Sequence, residues 1–480
     1  MFLELNKKIF NNKIFFFNFI TILVLKLIVL FYFYHSNSNL GFYKTFGLAI
    51  EGGDTFSYFI PIENYLSGNE YGPPCRMPGF LPFYFLINLF TSSRTIIYCF
   101  IVIFQILLSS LAITFILDFL RPRIKVKPLM LIFLIVFALN TFIGIWDIIL
   151  MADSFASSFI VLAVCLLIKY PQRYHIYLFA GLLIIGSVFF RPINIVFIPI
   201  LIVFFLFKGL NKRNIQKISI FLFPTVILMS CWIYRNYNQS GKFIPFTQFT
   251  GCYTSFNEQY YKMIKVPTAL GLDFVWGSDG EYFIKEKGKL NEKLLNEITT
   301  PEFNIKRIQK FRQYYLLSFK DSFAFKKDEV INEIELYLNS YKKNKPFQYY
   351  IVNPAKLTFK FLFPKRLDNL ILPPREKMNA FQFILKSGYY ILLLVGNLFF
   401  VLFVFIKCIE WIKNYIRKKE KPDPIVFLII LLPIAFILAH SVIMGFIEQR
   451  YLAGTYLFIL ISAVLFLDQL LFKIKTFSKK

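Results

Sequence analysis

Apolar runs near the bilayer-spanning length of about 20 residues recur along the chain and set its frame. They occupy residues 14–34, 96–118, 128–147, 153–168, 174–190, 193–207, 217–235, 384–406, 425–446 and 451–472. Several are short or separated by only a few residues, so the pattern predicts about ten transmembrane helices, give or take one. Between the seventh and eighth runs the pattern changes. EYFIKEKGKLNEKLLNEI, NIKRIQKFRQYYLLSF and KDEVINEIELYLNSY place Ile, Leu and aromatics at helical spacing among charges, the mark of amphipathic helices. Residues 238–383 therefore predict a helical insert outside the membrane, too long for a plain loop. NPAKLTFKFLFP reads as its amphipathic return towards the bilayer. In the first loop, 35–94, Phe56, Phe59, Ile60 and Ile62 alternate with polar groups and predict interfacial helices. The expected fold is all-α and polytopic. Residues 1–237 form an N-terminal transmembrane module, 238–383 the insert and 384–480 the C-terminal transmembrane helices. The chain has no internal repeat, so the signature of an inverted-repeat transporter is missing.

Composition agrees with this frame. Of 480 residues 57% are hydrophobic, more apolar surface than a soluble protein of this size can hide. The 62 Phe are as well explained by an AT-rich genome as by function and carry no argument. The net charge of +26 resembles a nucleic-acid signal until its positions are read. The basic residues fall in short connectors: Arg121 to Lys127, Lys169 and Arg173, Lys208 to Lys217, Lys413 to Lys421, and the tail from Lys473. These are positive-inside signals, which place both termini in the cytoplasm and argue against a nucleic-acid partner. Outside then lie 35–94, the turn Asp147–Asp153, the turn Arg191–Pro192, the insert, and a last turn holding Glu448 and Arg450. The first span is too long for a cleavable signal peptide and lacks a small-residue cleavage site. The six Cys form no CxxC pair; Cys99, Cys165, Cys231 and Cys408 lie in or beside apolar spans, while Cys75 and Cys252 share the outer side, where a disulfide is one alternative. With three His, a His-built metal site is nearly excluded, and no cofactor is expected.

The ionisable groups on the outer side carry the candidate chemistry. Asp54 follows the first span and has Tyr58 one helical turn on; it reads either as a general base or as the acidic cap of an interfacial helix. Glu51 is the neighbouring candidate. Asp153 opens a span within MADSFASS and has the same two readings, while Asp147 reads as a solvated terminus. Arg76, Arg191, Arg235 and Arg450 each lie near the outer end of an apolar run, against the positive-inside trend. One such Arg can snorkel to headgroups; four on the face that holds the acids suggest a pocket for an anion such as a phosphate. Tyr58, Tyr71, Tyr84 and Tyr253 read as sugar-stacking rings or, by default, as an interfacial aromatic belt.

These residues carry a resemblance. Asp54-x-x-x-Tyr58 followed by Arg76-x-Pro78-Gly79-Phe80-x-Pro82 is similar to the first external loop of the GT-C glycosyltransferases, in particular the dolichyl-phosphate-mannose protein mannosyltransferases and lipid A aminoarabinose transferases. Asp153, the Arg191–Pro192 turn, the run from Arg235 to Gly251, and EQRYLAGTYLF with Arg450 and Tyr451 continue it over nearly the whole chain; the insert matches least. The resemblance implies a GT-C-like enzyme of a bacterial cytoplasmic membrane. Such an enzyme takes a sugar from a polyprenyl-phosphate donor and passes it to a lipid, glycan or protein acceptor on the outer face. It implies Asp54 as base and Asp153 as a second acid, while Glu51 stays a candidate by its position beside Asp54. It also implies that Tyr58, Arg76, Arg191, Arg235, Arg450 and Tyr451 contact substrate. Where many relatives pair acids in this loop, Asp54 is followed by Thr55, so a metal site has no support. A sugar leaving on lipid phosphate needs positive charge at the phosphate and a carboxylate on the opposite face, an arrangement expected to invert the anomeric centre.

Two other readings compete. A flippase or transporter of lipid-linked glycans would place charge and broken helices at mid-membrane, whereas these spans look nearly clean of charge. A glycan polymerase or ligase would share the external Arg residues and a large outer loop, and only the Asp54 and Arg76 motifs argue against it.

Overall fold

The computed structural model describes residues 13–40, 43–69, 71, 76–207, 209–247, 258–272, 278–284, 294, 297–318, 327–364, 378–418, 421–444 and 449–477. Cys75, Cys252, Tyr253, Glu448 and most of the run 281–298 lie outside the described residues. The protein is an all-α membrane protein, and all ten apolar runs are largely helical. They correspond to α1 (Lys13–Leu40), α4 (Arg94–Leu120), α5 (Leu129–Leu139), α7 (Asp153–Lys169), α8 (Tyr174–Phe190), α9 (Phe197–Phe207), α10 (Lys212–Ser240), α16 (Ala380–Lys418), α17 (Pro424–Leu438) and α18 (Gln449–Phe477). Among the described residues six helices are long and apolar enough to cross a membrane, beginning at Lys13, Arg94, Lys212, Ala380, Pro424 and Arg450. The others are shorter. The run 128–147 breaks after 11 residues of α5, because Asn140 is extended, and continues as the short α6 (Thr141–Gly144) and a 3-10 turn (Ile145–Asp147).

The chain divides into two compact units. The first comprises Met1–Thr247, Arg366–Ala435 and Leu452–Lys480. Its central helix is α4, with 67% of its apolar window buried against 22% in α1 and in α10, whose Phe, Val and Ile side chains face outward as lipid demands. Helices α8 and α10 approach closely at Gly181, where a Cβ would lie 2.2 Å from the Phe221 carbonyl oxygen. The first loop adds a feature that the apolar pattern did not foretell: a hairpin of β1 (Thr45–Phe46) and β2 (Ala49–Ile50), turned at Gly47 with φ of +58°. Ile50 also bridges to Ile149, with its N–H donating to the Ile148 oxygen at 2.9 Å. The loop then forms α2 (Thr55–Leu66) and α3 (Leu81–Asn88). Phe59 and Ile62 of α2 face inward, while Phe56 and Ile60 stay exposed.

The second unit comprises Gln248–Lys365 and Phe436–Tyr451. Helices α11 (Glu258–Ala269), α12 (Ser278–Ile284), α13 (Ile305–Leu317) and α14 (Lys327–Asn344) bury a core that includes Met263, Phe283, Phe303, Phe311, Ile334 and Tyr337. Asn304 caps α13 by accepting from the Arg307 N–H at 3.0 Å. Asp328 and Glu329 in the first turn of α14 and Lys342 and Lys343 in its last turn complement the helix dipole. A helix with a central π-turn (Gln348–Val352) leads into α15 (Asn353–Leu362), which packs on the π-turn Ala439–Met444 through Thr358 Oγ1, donating to Ser441 Oγ at 2.8 Å.

Candidate functional site

The first unit brings together five of the residues that the sequence singles out. Asp54 stands at the N-cap of α2, yet its carboxylate makes no capping hydrogen bond. Thr55 Oγ1 instead accepts from the Gly52 N–H at 2.7 Å and donates to the Leu150 carbonyl at 2.9 Å. The Asp54 carboxylate turns to Arg76, with Oδ1 and Nη2 3.3 Å apart. Arg76 is held on two further sides: its Nε donates to Ser57 Oγ at 2.9 Å, and its guanidinium lies over the Tyr58 ring, 4.7 Å from the centroid. Tyr58 is buried and packs edge-on against Phe80. It therefore serves as a platform for the guanidinium.

A second pair has the same composition. Arg191 Nη2 donates to Asp153 Oδ2 at 2.5 Å. Asp153 opens α7, where a carboxylate also suits the helix dipole, and Arg191 follows the last turn of α8 in extended conformation. The two pairs are neighbours through backbone contact. A Cβ on Gly79, three residues after Arg76, would come within 2.8 Å of the Phe189 oxygen, just before Arg191. The rings of Phe80, Phe155 and Phe190 pack together beneath, with Phe155 and Phe190 stacked at 4.8 Å. Only glycine permits this approach of the Arg76 turn to the end of α8.

Arg235 occupies a different setting. Its guanidinium lies 5.2 Å from the Tyr71 centroid and 5.1 Å from that of Trp232, and Nη1 donates to Asn236 Oδ1 at 3.0 Å. Trp232 and Asn236 in turn donate to the Phe246 and Ile244 oxygens at 3.1 and 2.8 Å, folding 243–247 back onto the end of α10. Burial pushes the Tyr71 phenol up, opposed by the Arg235 charge, so Tyr71 is a neutral hydroxyl at physiological pH. Glu51 is half-buried and enters the fold through its backbone N–H, which donates to the Lys44 oxygen at 2.8 Å. Arg450 and Tyr451 belong to the second unit, where Arg450 Nη2 donates to the Tyr451 hydroxyl at 3.4 Å and the Tyr451 ring stacks on His440. Tyr84 is no exposed stacking ring: it is buried and donates to Glu63 Oε1 at 3.2 Å, beside Tyr98 and Arg94.

One expectation is overturned. Asp147 is fully buried rather than solvated, and it forms an ion pair with Lys26, a residue of the first apolar run that sequence reasoning passed over. A single Lys inside the apolar run 14–34 gives little sign of a partner 121 positions away. Ser57 was also missed as a partner of Arg76, since nothing but the fold brings them together. Among the described residues no group of three or more His, Cys, Asp or Glu side chains forms a potential metal site. The counter-charge met by Asp54 and Asp153 is arginine. Comparison with protein-family models, with curated proteins and with solved structures finds no match.

Proposed function

We propose that this protein is a GT-C-like glycosyltransferase that moves a sugar from a polyprenyl-phosphate donor to an acceptor outside the cytoplasm. In this reading about ten helices cross the membrane and both termini are cytoplasmic. The observation that carries it is the pair of acid–arginine couples, Asp54–Arg76 and Asp153–Arg191, set side by side by the contact of Gly79 with Phe189. Arginine is suited to bidentate contact with phosphate, and a departing lipid phosphate needs cations rather than an acid. In the resting state each guanidinium holds a carboxylate. An incoming phosphate competes for the guanidinium and releases the carboxylate to accept a proton from the acceptor hydroxyl. Asp54 is the assigned base, because its couple is the longer and more exposed of the two: 3.3 Å against 2.5 Å, with Asp54 20% and Asp153 4% exposed. Displacement in one step inverts the anomeric centre.

The test is transfer by the purified protein from radiolabelled polyprenyl-phosphate sugars to membrane extract, with Asp54→Asn alongside. Transfer by the wild type and its loss in the variant support the reading; retention of the anomeric configuration would refute the one-step displacement. The second reading, a transporter of lipid-linked glycans, is favoured by one specific observation, the Lys26–Asp147 pair beside the broken helix α5–α6. Passage of a lipid-linked glycan across a reconstituted bilayer, with no donor consumed, would replace the first reading by the second.

A further inference from the structure

Lys26 stands halfway along α1, about 20 Å from Lys13 at 1.5 Å per residue. Its ammonium reaches Asp147 Oδ2 and donates to Ser109 Oγ of α4 at 2.5 Å. Ser109 donates in turn to Asp147 Oδ2 at 2.7 Å, and Ser154 Oγ of α7 donates to Asp147 Oδ1 at 2.5 Å. Lys26 is 2% exposed and Asp147 0%. Both carboxylate oxygens thus have donors, and the charge is matched within a buried site, the condition for an ion pair at this depth.

The segment that Asp147 anchors is largely non-helical. Gln105 Nε2 collects the carbonyls of Trp146, Ile149 and Met151 at 3.0, 3.2 and 3.3 Å. The Ile50 N–H donates to Ile148, the Leu150 N–H returns the bond to Ile50 at 3.0 Å, and Thr55 takes the Leu150 carbonyl. Irregular backbone among membrane helices persists only where its polar groups are satisfied in this way. Residues 146–151 thereby link the peptide before Asp54 to the residue before Asp153, and Ser154, next to Asp153, is itself held by Asp147.

We propose that the Lys26–Asp147 pair is a positioning device that fixes residues 145–153 and so aims the Asp153 carboxylate at Arg191. The role given to Asp153 rests on the function proposed above; the ordering of the segment does not. Neutralising Lys26 strands a buried carboxylate, which draws water in and loosens the segment while α4 and α7 stay folded.

The experiment is hydrogen–deuterium exchange by mass spectrometry on the detergent-solubilised full chain, wild type against Lys26→Met and Asp147→Asn. It is run together with the donor-dependence of sugar transfer. The expected result for Lys26→Met is at least tenfold faster exchange in peptides covering 148–151, with α4 amides unchanged. In transfer, kcat falls at least tenfold and the donor KM stays within about twofold. Asp147→Asn keeps the side-chain shape but strands the buried Lys26 ammonium and replaces one of the two acceptor oxygens by an N–H donor, so it is expected to move both readouts in the same direction. Unchanged exchange at 148–151 in both variants overturns the proposal, as does equal acceleration throughout α4, which marks a general stability element. If Lys26→Met does not fold, Asp147→Asn is judged by the same criteria. If the wild type transfers no sugar, the function reading falls and the exchange measurement alone decides whether the pair orders the segment.

Discussion

Gly79→Ala tests whether the two acid–arginine couples form one site. The added Cβ would lie 2.8 Å from the Phe189 oxygen and from Phe190 Cδ1, and 2.9 Å from the Phe189 carbonyl carbon. Ordinary contact begins near 3.4 Å, so the Arg76 turn and the end of α8 must separate by about 0.6 Å (3.4 minus 2.8). Two of the three nearest atoms are backbone, and no rotamer change can make room for them. Overpacking of this kind costs about 1–3 kcal/mol. Gly79 does not have a positive φ, so the effect is steric and not conformational. A displacement of 1 Å near reacting groups can lower a rate about 100-fold, so 0.6 Å predicts a loss on the order of tenfold in transfer. The assays are thermal inactivation in detergent and initial-rate transfer from the lipid-phosphate donor. Gly388→Ala is the control: its Cβ meets nothing within 4 Å, and alanine within α16 stabilises by about 0.5–1 kcal/mol. Full activity and an unshifted midpoint in Gly79→Ala would show that the turn does not rest on residues 189–190. A shifted midpoint with full activity would keep the packing but remove the Arg76 couple from the site.

Three further outcomes are expected. Gly181→Ala sets a Cβ 2.2 Å from the Phe221 carbonyl oxygen and so forces α8 from α10; it should cost at least 1–3 kcal/mol, read as a lowered midpoint and faster proteolysis. Phe347, Tyr350, Ile351 and Phe359 are exposed along the helix that reaches Ser441 at the end of a membrane span. Phe347→Trp in proteoliposomes should therefore add emission that brominated lipids quench and iodide does not; the reverse would place this face in water. The Glu302 carboxylate is held below its ordinary value by hydrogen bonds, first from Ser340 and then from its own backbone and Asn344. That contribution to the second unit is present above the ordinary carboxylate value and lost as pH falls through the lowered one, so acid sensitivity of its proteolysis should diminish in Glu302→Gln.

The membrane helices were legible because lipid imposes a strict rule on side chains over about 20 residues. The breaks within them were not. Asn140 ends α5 without a proline or glycine to announce it, and the hairpin Thr45–Ile50 has strands of two residues each, too short to display alternation. The amphipathic runs of the insert predicted α13 and α14 well, since each helix buries one face on the core around Tyr337. At the candidate site the charged residues were legible singly, by their departure from the positive-inside trend. Their pairing was not, because Asp54 meets Arg76 across 22 residues and Asp153 meets Arg191 across 38, and only the packing of Gly79 and Thr55 brings the couples together.

Lys26 marks the limit of that kind of reading and also sharpens the choice between enzyme and transporter. The spans were expected to be nearly clean of charge, and this one carries an ion pair at mid-helix. A transport site, however, must surrender its partners to cargo and water on each cycle, which requires that its charges become wet. Exposure orders these three couples by readiness to exchange partners. Asp147 and Lys26 stand at 0% and 2%, Asp153 and Arg191 at 4% and 13%, and Asp54 and Arg76 at 20% and 14%. The first is closed by two serine hydroxyls and behaves as part of the frame. The last is the one that an anionic ligand meets with least desolvation, and it is also the couple whose acid is free of the capping role its position suggested. Substitution at Asp54 should therefore act on the chemistry, and substitution at Asp147 on the geometry that serves it.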